Sequence, residues 1–177
     1  TQTDPAFAND IKEWGKLTDN ILIWDYIIQF KNLLSPFPNL HTLKPNVQFF
    51  ADNHVTSLFE QGNREVGGEM AELRAYLVAK LMWNPKADDE SIIDDFVYGY
   101  YGTAGKYIRQ YIHTMKTALL KSNHHLRIFG NPVEAKNTYL SADLMGYYRR
   151  LFDAAERAVE DKPELQKRVQ IARLPLM

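Results

Sequence analysis

The sequence predicts an α/β fold that passes into an all-α layer and is helix-rich overall. Two short apolar runs, at residues 20–26 and 55–60, have the composition of strands that are buried on both faces. After Gly67 and Gly68 the apolar residues recur every three or four positions, which is the period of an amphipathic helix. We therefore expect strands and loops over residues 1–66 and a helical extension over residues 67–177.

The pattern of the first half predicts a strand, a crossover and a second strand. Residues 20–26 are mostly β-branched and aromatic, and residues 55–60 follow the same pattern. Residues 44–51 predict a short helix between them, and residues 52–54 predict the turn into the second strand. This order is typical of a parallel pair of strands.

The pattern of the second half predicts a series of helices. The acidic residues 88–90 suit a helix N-terminus, Gly102 suits a helix C-cap, and Pro163 suits a first helical position. Residues 126–130 predict a short extended segment. The apolar stripes predict helices near residues 70–82, 92–101, 108–119 and 144–159, and from Pro163 onward.

Composition excludes several classes of protein. The 177 residues are 45% hydrophobic, which argues against intrinsic disorder, and the net charge of −1 argues against general nucleic-acid binding. No cysteine is present, so disulfides, thiolate zinc sites and cysteine nucleophiles are excluded. No apolar run reaches the roughly 18 residues of a membrane span. No basic and then apolar leader opens the chain, so we expect a signal peptide to be absent or to lie outside it.

Two carboxylates, Asp25 and Glu60, are the candidate catalytic residues. Each lies at the carboxyl end of a predicted strand, where parallel β/α folds place their ligand crevice. Two such groups can act as an acid and a base, as glycoside hydrolysis requires. The alternative is structural: either side chain could cap a loop or pair with an arginine such as Arg64 or Arg74.

Aromatic and polar neighbours of these carboxylates are the candidate substrate-binding residues. Trp24 and Tyr26 flank Asp25 and point to the opposite face if the segment is extended. Such rings stack on sugars, although a strand aromatic also packs in cores. The densest polar segment, residues 60–69, lacks the Walker pattern of a phosphate loop. It contributes further candidate substrate-binding residues, which are Gln61, Asn63 and Arg64.

The histidines show no spacing that would hold a metal ion. His124 and His125 are adjacent and so diverge, while His41 and His54 lie in predicted loops. We therefore expect no metal site and no cofactor.

Four segments carry a resemblance to a known family. They are NILIWDY at 20–26, FEQGN at 59–63, GGEMAELRAYLVAKLMWNP at 67–85 and DDFVYGYYGTAGKYIRQY at 94–111. With them the chain resembles the domain-of-unknown-function family 4838, a glycoside-hydrolase-like group of polysaccharide-degrading bacteria. The resemblance covers nearly the whole chain.

This resemblance implies an architecture similar to that of α-glucuronidases. The chain would then hold the last βα units of a (β/α)₈ barrel, within residues 1–66, and a helical C-terminal extension. Partners would be a carbohydrate substrate and the rest of the parent chain, without nucleic acid or membrane. The location would be periplasmic or secreted, with the signal peptide outside this chain. The general acid of barrel glycosidases commonly lies on a middle strand, so Asp25 and Glu60 would be substrate-binding or base-side groups.

Three functions stay open on these grounds. The first is part of a glycoside hydrolase that acts on a polysaccharide or oligosaccharide. If the substrate contains uronic acids, Arg64, Lys44 or a helix N-terminus would bind their carboxylates. The second is a non-catalytic glycan-binding or structural module. The third is a helical interaction module that uses residues 98–111. Convergence of Asp25 and Glu60 on one cleft beside Trp24 would favour the first.

Overall fold

The computed structural model describes residues 4–63 and 67–177 of the chain. These residues form seven α-helices and two β-strands, with single 3₁₀ turns at 102–104, 132–135 and 174–176. The elements in chain order are α1 (Pro5–Gly15), β1 (Ile21–Tyr26), α2 (Leu40–Asp52), β2 (Val55–Gln61), α3 (Ala71–Trp83), α4 (Asp89–Tyr101), α5 (Gly105–Ser122), α6 (Ala142–Arg157) and α7 (Pro163–Arg173). Helix α1, which the apolar pattern did not predict, begins with Asp4 as its N-cap.

The two strands pair in parallel, as the strand patterns predicted. They run side by side, with Trp24 opposite Phe59, Asp25 opposite Glu60 and Tyr26 opposite Gln61. Helix α2 forms the crossover and is longer than predicted, because it begins at Leu40 rather than at residue 44. Its buried side chains, which are Leu40, Leu43, Val47 and Phe50, join the core. Both strands therefore end at the same edge, with their last residues in contact.

The prediction of (β/α)₈ barrel units is wrong. The described residues contain one sheet, and that sheet has two strands in the order β1–β2. A barrel needs enough strands to close on itself, and a single strand–helix–strand unit supplies only one crossover. The strand patterns predicted each strand correctly, whereas the barrel came from the resemblance alone. The helix-rich character that was predicted is present, and the boundary predicted at residues 66 and 67 adjoins residues outside the described ranges.

The core lies mostly among helices α3 to α7 and extends to α2 and to Ile27 and Ile28 after β1. Helix α4 begins after Asp88, whose carboxylate accepts from the Ser91 N–H, and ends at Gly102 with a φ of 55°. That positive φ suits glycine, which has no Cβ to clash. Helix α7 begins at Pro163 as predicted. Residues 126–130, predicted as extended, form no strand. Fully buried side chains of this core include Leu77, Leu81, Val97, Ile108, Met115, Tyr148, Phe152 and Val169.

A buried arginine ties the sheet half of the molecule to the helical half. Arg74 of α3 is 2% exposed. It donates to the Glu69 carboxylate at 2.7 Å, to the Glu69 carbonyl, and to the Phe37 carbonyl at 3.2 Å. It also donates to the side-chain oxygens of Asn39 and Asn63, each at 3.3 Å. One guanidinium thus joins the loop before α2, the end of β2 and the start of α3.

We expect Arg74→Met to lower the free energy of unfolding by about 3–5 kcal/mol, because it leaves the buried Glu69 carboxylate without its cation. Urea unfolding followed by circular dichroism measures the change. The double variant Glu69→Leu with Arg74→Met should lose less, since it removes both charges. Arg149→Met, at an exposed arginine of α6, is the control. A single variant as stable as the wild type would contradict this role of Arg74.

Candidate functional site

The carboxyl ends of the two strands bring the predicted catalytic residues together. Asp25 of β1 and Glu60 of β2 are register partners, so their side chains leave the same face of the sheet. Neighbouring strands lie about 4.8 Å apart, which places the two side chains beside each other. Both are half-buried. We call Asp25 and Glu60 the carboxylate pair.

Burial and mutual repulsion hold protons on the carboxylate pair. Burial raises the pKa of Glu60, and the nearby charge of Asp25 raises it further, to about 8. Burial also raises the pKa of Asp25, against which the hydrogen bond from the Tyr26 N–H to Asp25 Oδ1, at 2.8 Å, acts to lower it. Glu60 Oε2 is buried and has no hydrogen-bond partner among the described residues. The pair therefore carries a proton at neutral pH.

A groove of about 420 Å³ opens beside Glu60, between β2 and α3. Its α3 wall is mostly small or apolar and includes Ala71, Ala75, Val78, Ala79 and Met82. Its polar groups come from Glu60, Asn63 and Arg74. Glu60 thus faces a space that can admit a ligand, whereas Asp25 does not line this groove.

The opposite side of the sheet is aromatic and open. Trp24 and Tyr26 lie there, as alternation along an extended strand predicted, and are 59% and 42% exposed. Phe59 of β2 lies beside Trp24 and is 51% exposed. We call this side the aromatic face and define it by Leu22, Trp24, Tyr26, Ser57, Phe59 and Gln61. The core interpretation of Trp24 therefore does not apply, since most of its surface is accessible.

The polar candidates divide between these two sides. Gln61 lies on the aromatic face, where its Oε1 accepts a hydrogen bond from Trp24 Nε1 at 2.9 Å. Asn63 lines the groove beside Glu60 and accepts from Arg74. Arg64 lies outside the described residues. Arg74, an alternative partner for the carboxylates, instead forms its ion pair with Glu69.

The structure therefore meets half of the condition for a single catalytic cleft. Asp25 and Glu60 converge on each other, but Trp24 and Tyr26 point away from them through the sheet. Lys44, proposed as an anion partner, pairs with Asp89 at 3.3 Å instead. The strand ends thus offer two separate surfaces, one acidic and one aromatic.

Sequence reasoning missed the aromatic partners of Trp24 and Tyr26. Phe59 belongs to the FEQGN segment, and its position directly opposite Trp24 depends on the strand register. Phe30 follows β1 by only four residues and contacts Tyr26 at 5.2 Å between ring centroids. Period-2 alternation in both strands could have placed Phe59 on this side, but Phe30 lies in a loop that has no such period.

The segment proposed as a helical interaction module lies partly in the core, with five of its 14 residues buried. Tyr101 and Tyr111 are buried, and Tyr111 contacts Tyr148 and Phe152 edge-on. Tyr98 is about half exposed. The described residues hold no group of three or more His, Asp or Glu side chains arranged to bind a metal ion. Within the same residues, no helix combines the length and the apolar character that crossing a bilayer requires.

We expect the stability of the protein to fall as pH rises because of Glu60. Between pH 4.5 and about 8 the folded state holds a proton on Glu60 that the unfolded state has released. The free energy of unfolding therefore decreases with pH, by at most about 1.4 kcal/mol per pH unit for one proton. Glu60→Gln should flatten this dependence in urea unfolding series from pH 5 to pH 8.

Glu164→Gln, at an exposed carboxylate in the first turn of α7, is the matched control and should keep the wild-type slope. Equal slopes for the wild type and Glu60→Gln would show that the pKa of Glu60 is not raised.

Comparisons with known proteins identify one family. The family model of a domain of unknown function (DUF4838) matches residues 1–113, which include both strands and the carboxylate pair. No curated protein and no solved structure matches the chain. Since the matched residues are more than half of the chain, it belongs to the DUF4838 family of domains of unknown function.

Proposed function

We propose that this chain is part of a glycoside hydrolase, in which the carboxylate pair carries out proton transfer. The observation that carries the proposal is the placement of Asp25 and Glu60 side by side on one face, with a proton retained on Glu60 at neutral pH. A general acid works best when its pKa lies near the working pH. Sugar as the substrate is supported by the exposed rings of Trp24 and Tyr26, which suit carbohydrate although they lie on the opposite side of the same strands from the carboxylate pair.

Glu60 is the proton donor in this proposal, rather than the substrate-binding or base-side group that the family resemblance implies, because its raised pKa keeps it protonated at neutral pH. Its carboxyl proton passes to the glycosidic oxygen while the bond from that oxygen to the anomeric carbon breaks, and the leaving sugar departs as an alcohol. Water adds its oxygen to the anomeric carbon and gives up one proton, which returns the pair to its starting state. Burial, and after it the neighbouring Asp25, keep the pKa of Glu60 high enough for this donation.

The pair acts from one side of the substrate. Glycosidases place their two carboxyl groups on opposite sides of the scissile bond. Asp25 and Glu60 leave the same face of neighbouring strands, so they supply one of these two positions. A carboxylate beyond the pair completes the site, and we propose that it belongs to the rest of the parent chain. A polysaccharide substrate also supports our proposal that the protein works in the periplasm or is secreted.

The test is turnover of 4-nitrophenyl glycosides and glucuronides by the complete encoded protein. Glu60→Gln should lower kcat/KM by about 10²–10⁴-fold, which is the usual contribution of a general acid. The wild-type pH profile should fall on its basic side near pH 8, where Glu60 loses its proton. Glu164→Gln, far from the sheet in sequence and exposed, serves as the control.

Asp25→Asn provides a sharper test. Removal of the negative neighbour makes the ionised form of Glu60 more favourable, so the basic side of the profile should move to lower pH. Turnover that survives Glu60→Gln unchanged would remove the pair from catalysis. If the basic side of the pH profile does not move in Asp25→Asn, the two carboxylates do not interact.

A further inference from the structure

We propose that the aromatic face binds an uncharged oligosaccharide at a site separate from the carboxylate pair. The proposal does not depend on proton transfer by Asp25 and Glu60, because these residues lie on the other side of the sheet. It rests on the arrangement of the rings, on what holds them in place, on the absence of charge, and on the size of the surface.

Two rings form the platform. Trp24 and Tyr26 are two residues apart on β1, so they emerge on the same side of the sheet. Their ring centroids are 6.3 Å apart and their planes differ by 29°. The two rings are stacked on each other, so their outer faces and exposed edges are what a ligand can reach. These surfaces suit the apolar C–H faces of a short oligosaccharide.

Neighbouring side chains hold both rings in position. Phe59 meets Trp24 edge-on, with centroids 5.0 Å apart and an interplanar angle of 75°. Phe30 meets Tyr26 in the same way, at 5.2 Å and 81°. The Gln61 side chain fixes the indole through the 2.9 Å hydrogen bond to Trp24 Nε1. Rings that are ordered before binding lose little entropy when a ligand arrives.

The chemistry of the face selects a neutral ligand. None of its six side chains is charged, and Gln61, Ser57 and Tyr26 offer amide and hydroxyl groups. Amide and hydroxyl groups match the hydroxyls of a neutral sugar. A uronic acid would need an arginine or lysine to pair with its carboxylate, and this face provides neither.

The size of the face favours a small ligand over a protein. Trp24, Tyr26 and Phe59 are 59%, 42% and 51% exposed, and aromatic side chains present about 150–250 Å² each, so the three rings together expose roughly 300 Å². A stable protein interface takes about 800 Å² from each partner. A short glycan laid along β1 needs no more area than the face has.

Calorimetric titration of the complete encoded protein tests this site. The probes are cellohexaose and xylohexaose, which are neutral, and a hexamer of galacturonic acid, which is charged. We expect a neutral hexamer to bind at least tenfold more tightly than the acidic one. Trp24→Ala should weaken that binding by about tenfold or more, as the loss of an aromatic platform implies.

Trp83→Ala is the matched control, because Trp83 is 91% exposed at the end of α3 and does not belong to the aromatic face. Circular dichroism confirms that each variant is folded. The proposal is overturned if no neutral hexamer binds, if the acidic hexamer binds as tightly, or if Trp24→Ala and Trp83→Ala bind like the wild type.

A protein partner would give a different result. Sedimentation that shows self-association, lost in Trp24→Ala, together with no glycan binding would make this face an interface between copies and would overturn the proposal. Failure of the proton-transfer proposal appears elsewhere, as unchanged turnover in Glu60→Gln, so the two ideas fail independently.

Discussion

The buried guanidinium of Arg74 is the constraint on which the rest of the structure depends. A charge in the interior costs several kcal/mol unless its hydrogen bonds and its counterion are supplied. Here Glu69 supplies the counterion, and oxygens from Phe37, Asn39 and Asn63 supply the remaining bonds. These residues belong to segments that are distant in sequence. They can satisfy Arg74 only when the loop before α2, the end of β2 and the start of α3 meet.

Backbone geometry around Glu69 makes this meeting possible. Gly67 and Met70 both have positive φ, of 85° and 46°. Gly67 and Met70 lie on either side of Glu69, and their positive φ angles allow the Glu69 carboxylate and carbonyl to face the same guanidinium. A left-handed conformation at a methionine costs energy, which the packing of a 2% exposed Met70 offsets. Asn63 and Arg74 both line the groove beside Glu60, so the hydrogen bonds of Arg74 also hold part of its wall in place.

Local pattern predicted what is local in this fold. The β-branched runs predicted β1 and β2, their alternation placed Trp24 and Asp25 on opposite faces, and the helical periods predicted α3 to α7. The apolar pattern did not predict helix α1, because Ile11 is the one residue that this helix buries and a single residue makes no stripe. The role of Arg74 and the pairing of Phe30 with Tyr26 depend on contacts between distant segments, which no period in the sequence encodes. The prediction of a barrel was wrong because it rested on the family resemblance alone, and the described residues contain a sheet of two strands.

The alternation along β1 has an evolutionary consequence. Consecutive residues of that strand serve different sides of the sheet, so a change at an aromatic position leaves the acidic side untouched, and the reverse also holds. Selection could change the aromatic side without changing the carboxylates on the other side, although the two sets of residues are encoded by adjacent codons. The two sides of the strand could then diverge independently within the family, so relatives that share one surface need not share the other.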